Sequence, residues 1–264
     1  MELAVAALNR RPLALKALLA ALTVITWVYV CLEFFDGMSA PPAATAGLHQ
    51  HHAAHWSPLT LWGTLAMWMI MMVAMMVPVV FPWIMALARL DRSAAPGMGP
   101  GARNPVTAAA FLAGYFTAWL AFAVCATVLQ WSLSVAGLLS PSLILENGVV
   151  RGAVFVLVGA YQWSPLKNSC LTHCESPFTF FLSRWRDGNW GALVMGAHHG
   201  LYCIGCCWLV MLGMVVVGAM SFPWMVGFTL FILLEMYVSE LRWVTRAAGA
   251  VLILAGVASV ALAL

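Results

Sequence analysis

The sequence predicts an all-α fold. It reads as a polytopic membrane helix bundle of about seven transmembrane helices, with the N-terminus inside and the C-terminus outside. Three observations predict it. The 264 residues are 64% hydrophobic and only 8% charged, with a mean hydropathy of +0.95. An ordinary soluble domain is about 45–50% apolar and about 25% charged. Several runs exceed the roughly 20 apolar residues that cross a bilayer as a helix, and no alternating segments suggest a membrane β-barrel. Finally, the basic residues fall on alternate loops, as the positive-inside rule requires. With the N-terminus inside, eleven of the twelve Lys and Arg residues obey one arrangement, and only Arg151 falls outside it. The net charge of +3, without a basic arm, speaks against nucleic-acid binding.

The first helix is expected at 13–34. Arg10, Arg11 and Lys16 precede an apolar run from Leu18 to Leu32, and no clear small-residue cleavage site follows. The run is therefore read as a retained helix ending near Glu33 and Asp36, where water reaches the carboxylates. An outer loop over 36–57 follows. It holds His49, His51, His52 and His55, four imidazoles within seven residues, a set suited to capturing divalent metal from outside. An unstructured tract with incidental affinity is the plainer alternative.

The second helix is expected at 58–88. It carries six methionines in the ten residues from Met67 to Met76. Met67, Met71 and Met75 share one face, with Met72 and Met76 beside it. Methionine suits Cu(I) and is a poor ligand for zinc; it is also a flexible core filler. Pro78 and Pro82 should kink or end this helix. Residues 93–105, rich in Gly, Pro and Ala, form a cytoplasmic linker. The third and fourth helices are placed at 106–139 and 148–164. A long cytoplasmic loop is expected over 165–189. There Cys170 and Cys174 lie four apart with His173 between them, and Lys167 nearby favours thiolate.

The fifth helix, at 190–217, is the most informative. Met195, His199, Cys203, Cys207 and Met211 are spaced four apart and lie close to one face, with His198 and Cys206 beside them. Thioether, imidazole and thiolate are ligands for a soft metal, above all reduced copper. Gly196, Gly200 and Gly205 offer the competing reading of a small-residue packing face, and the two can coexist. The sixth helix, at 222–240, contains Glu235. An unpaired carboxylate there would be costly, so protonation, pairing or exposure to a cavity is expected. The seventh helix is placed at 245–263. No internal repeat is visible, so residues 1–264 read as one membrane domain. Seven cysteines, several clustered, do not suggest a disulfide framework. Cys31 and Cys125 stand alone and read as small hydrophobes.

Three strings carry a resemblance: Met-Met-Val-Ala-Met-Met-Val-Pro (71–78), Tyr-Gln-x-x-Pro-Leu-Lys-x-x-Cys-Leu-x-x-Cys-x-x-Pro (161–177) and Gly-x-x-Cys-x-Gly-Cys-Cys-Trp (200–208). They resemble those of a bacterial family described as predicted metal-binding integral membrane proteins, over roughly residues 58–245. The resemblance implies a polytopic protein and a bound metal. In one departure, that pattern has an acid followed by Lys near position 235, whereas this chain has Glu235-Met236-Tyr237.

Other classes are excluded by what is missing. The seventh span has no lysine for a retinal Schiff base, and no phosphate-binding loop, zinc-protease motif or haem-attachment motif occurs. The expected function is a metal-binding protein of the bacterial inner membrane that handles copper by binding, passage or delivery to a partner enzyme. No catalytic residue set is evident. Zinc or iron are the alternative ions, and haem is disfavoured because a single His pair lies within a helix. The competing reading is a redox or accessory subunit of a larger membrane complex. Expected partners are the lipid bilayer, a metal ion and such a complex.

Overall fold

The computed structural model describes residues 16–32, 35, 57–90, 105–140, 145, 147–217, 221–238 and 242–263. Among them are nine helices: α1 (Lys16–Leu32), α2 (Pro58–Leu90), α3 (Pro105–Val135), α4 (Gly148–Tyr161), α5 (Pro165–Glu175), α6 (Pro177–Arg184), α7 (Gly188–Val217), α8 (Phe222–Tyr237) and α9 (Arg242–Ala261). The described residues contain no strand beyond an isolated bridge between Leu139 and Leu145, so the chain is all-α. The outer histidines 49, 51, 52 and 55 and most of the linker 93–105 lie outside the described residues.

Four helices, α2, α3, α7 and α9, are long and apolar enough to cross a membrane. The other three expected spans do not reach that length among the described residues. There α1 and α8 are apolar and show 17 and 16 helical residues, about 25 Å at 1.5 Å per residue, against a hydrocarbon core of about 30 Å. α4 stops at Tyr161 and turns by 59° into α5, and the two together make at most a fifth, broken span.

Residues 165–184, read from sequence as loop, are helical. Each of the two short helices has a start signal of Ser followed by Pro. Ser164 accepts from the Leu166 amide at 3.1 Å, and Ser176 from the Thr179 amide at 3.4 Å. Pro165 and Pro177 occupy the first turns, where a missing N–H does no harm. These helices fold back against the bundle, so α5 packs on α7.

α2 runs through both of its prolines. Pro78 has no N–H to offer the carbonyl of Ala74, four residues earlier. The indole N–H of Trp27 on α1 fills that gap at 3.0 Å. A broken rung is thereby satisfied from a neighbouring helix, which is how membrane helices tolerate proline. α2 is also the most enclosed span. Two thirds of its apolar window (67%) is buried, against 17% for α9.

α3 and α7 cross backbone to backbone. A Cβ on Gly196 would strike the Phe111 carbonyl, and one on Gly114 would strike that of Leu193. α4 and α9 meet in the same manner through Gly152, Gly159, Gly249 and Gly256. Such crossings are the usual use of small residues between membrane helices. Here the first of them fixes the helix that carries the cysteine row.

Candidate metal centre

Cys203, Cys206 and Cys207 occupy one turn of α7. Positions three and four apart on a helix share a face, so the three thiols converge. Their sulfurs all lie within 4.8 Å of one another, and all three residues are buried. Both Cys206 Sγ and Cys207 Sγ donate to the Cys203 carbonyl at 3.0 Å. That shared acceptor holds the metal-free thiols on one side of the helix. Two sulfurs bound to one ion at about 2.3 Å each are at most about 4.6 Å apart. The spacing therefore needs little adjustment to hold an ion. All seven cysteines are free thiols.

α5 adds a fourth thiol. Cys174, buried, faces Cys206 across the helix pair. Cys170, one turn earlier, is half-buried, and its sulfur rests against Gly205. A Cβ at Gly205 would come within 2.5 Å of that sulfur. The three glycines of the α7 row thus divide their work, Gly196 and Gly200 toward α3 and Gly205 toward Cys170. The sulfur-bearing residues and the glycine packing stripe thus share one helix. His173 takes another direction. Its ring is exposed, stacks on Tyr202 at 4.5 Å, and bonds the Ser169 carbonyl of its own helix.

A buried ion pair ties α5 in place. Lys167 Nζ lies 2.7 and 2.9 Å from the two carboxylate oxygens of Glu235 on α8, and it also donates to Gln162 Oε1. Glu235 is thus paired. Its base comes from the α5 segment rather than from the position beside it in sequence. Lys167, expected to polarise the nearby thiols, has its ammonium engaged by Glu235 and Gln162. Tyr161 donates to the Gly205 carbonyl and pins the end of α4 to α7.

His199, one turn before Cys203, is fully buried, and neither ring nitrogen has a hydrogen-bond partner among the described residues. It sits among aromatic rings. Trp83 of α2 stacks on it at 3.6 Å, Tyr115 of α3 at 5.3 Å, and Phe180 of α6 meets it edge-on at 6.2 Å. Leaving a buried polar group unpaired costs about 1–3 kcal/mol, which a metal bond would offset. Tyr115 also reaches Cys203, with its hydroxyl 3.2 Å from the sulfur. The donor set is thus thiols with an unpaired imidazole one turn away, which fits a soft cation.

The remaining sequence candidates are placed as follows. Met195 and Met211 are buried on α7, and His198 is half-buried. Met71 and Met75 are fully buried and Met67 partly so, all in the same continuous core as the thiols. Trp83, Tyr115, the approach of Cys174 to Cys206 and the Lys167–Glu235 pair were not foreseen. The Ser-Pro starts of α5 and α6 were the available signal that this segment folds back onto the fifth span.

The family model described as PpoB2, copper chaperone, matches residues 65–259. No curated protein and no solved structure matches the chain. The match covers both cysteine-bearing helices and the methionine row, and the chain belongs to the PpoB2 copper chaperone family.

Proposed function

We propose that this chain is a bacterial inner-membrane copper chaperone that holds Cu(I) at Cys203, Cys206 and Cys207, with Cys174 as the fourth sulfur, and delivers it to a partner protein. Copper is the cargo. The observation that carries the reading is the buried cluster of three sulfurs within 4.8 Å. Thiolate donors take thiophilic ions such as Cu(I), and the copper chaperone family match favours copper among them. His199 supports the same reading as a nearby acceptor for the ion. Membrane embedding is supported by the four long apolar helices and by the distribution of basic residues, which puts the N-terminus inside.

Binding would replace the thiol protons by the ion. Cys206 and Cys207 would give up their bonds to the Cys203 carbonyl, and Tyr115 is positioned to donate to the Cys203 sulfur. The apolar surroundings exclude water and competing hard ions. No redox change of copper is needed for such carriage, so the protein acts as a carrier rather than an enzyme.

The test is anaerobic loading of the detergent-purified protein with Cu(I), followed by elemental analysis. Wild type is expected to retain about one copper per chain. The triple variant C203S/C206S/C207S should retain none. Copper content unaffected by the triple change would refute this site.

A further inference from the structure

We propose that copper enters and leaves the thiol cluster through Cys170, which serves as the exchange thiol between the bound ion and an external sulfur donor or acceptor. This rests on the reading of Cys203, Cys206, Cys207 and Cys174 as the holding site. Five thiols of this chain belong to α5 and α7, and burial grades them. Cys203, Cys206, Cys207 and Cys174 are buried, while Cys170 is half-buried. Its neighbours Ser169, Thr172 and His173 are exposed, so α5 presents a polar face beside it. The opposite end of the row is closed, because His199 is enclosed by Trp83, Tyr115 and Phe180. Cys170 therefore marks the accessible end.

Gly205 makes the approach possible. It leaves a gap in α7 between the buried thiols, and the Cys170 sulfur fills that gap. Cys174, on the same helix face as Cys170 and one turn on, lies beside Cys206. An ion can then move by stepwise ligand exchange. A bond from copper to Cys170 forms as a bond to one of the holding sulfurs breaks. Cys170 yields its proton, and the released thiolate takes one up. A second exchange passes the ion from Cys170 to an external thiol in the same way. Copper stays Cu(I) throughout, and no electron is transferred.

The experiment is stopped-flow transfer of Cu(I) from the loaded full-length protein in detergent to the chelator bathocuproine disulfonate, under anaerobic conditions. C170S is expected to keep the wild-type copper content and to slow transfer at least tenfold. G205A, which pushes the Cys170 sulfur out of its gap, should slow transfer as well. C170M, which restores a soft sulfur, should recover part of the rate. Wild-type transfer rates in C170S would overturn the proposal, and so would loss of bound copper in C170S, which would make Cys170 a holding ligand. A wild-type protein that binds no copper would overturn the holding site itself, and the exchange role with it.

Discussion

α2 and α7 each carry a row of sulfur on an apolar helix, yet they differ in what surrounds that sulfur. The methionines Met71, Met72, Met75 and Met76 are fully buried among hydrophobic neighbours. The cysteines of α7 instead have polar partners, with a shared carbonyl and the Tyr115 hydroxyl within bonding reach and the Cys174 thiol beside Cys206. Methionine has no proton to donate and packs as well as leucine. A buried thiol can pack as a small hydrophobe too, but it has a proton to donate and here it meets acceptors. The contrast is the reason the proposed ligands are drawn from α7 rather than from α2.

The largest expected effect breaks the tie that holds α5, and with it Cys174, to α8. K167M leaves Glu235 buried without its cation, and removing one partner of such a pair costs about 3–5 kcal/mol. A thermal or SDS-induced unfolding series should show this, and K167M/E235Q should recover most of the loss. Equal stability of K167M and wild type would mean that the pair holds nothing together.

The next effect lies on the thiol side of the comparison. C203S is expected to weaken Cu(I) binding about 100-fold, close to 2.7 kcal/mol, as read by competition with a chromogenic chelator. M71L and M75L should change affinity less than about threefold, under 1 kcal/mol. A methionine variant as damaging as C203S would erase the distinction between the two rows.

H199F sharpens the comparison further. It keeps a ring against Trp83 and removes two unpaired nitrogens. The metal-free protein should gain about 1–3 kcal/mol of stability, while copper transfer is impaired. A loss of stability in the metal-free state would mean that the imidazole has a partner. The smallest change is expected from W27F, which leaves the carbonyl freed by Pro78 without its donor. About 1 kcal/mol is at stake, measurable as a lower melting temperature.

Much of this was legible in the chain. Apolar runs gave the four long helices closely, because a spacing of 3.6 residues and a length near 20 are strong signals. The thiol cluster was legible because Cys203, Cys206 and Cys207 are spaced three and four apart on a single helix. What joins it from elsewhere was not. Cys174 reaches Cys206 only because α5 folds back, and that return depends on Lys167 meeting Glu235, 68 positions later. Periodicity carries no information about such pairs. The segment 165–184 was read as loop because its polar residues hid two capped helices, although Ser164-Pro165 and Ser176-Pro177 were visible starts. α2 continues past Pro78 and Pro82 instead of ending there, and the local sequence could not show this because the replacement donor for the freed carbonyl sits on another helix.

The convergence of three buried sulfurs within 4.8 Å has a toxicological side. A cage defined by softness and spacing does not separate Cu(I) from silver(I), which has the same charge and the same taste for sulfur. Silver should therefore occupy the cage and block it, and, being redox-inert in water, it offers a stable stand-in for crystallising the loaded form.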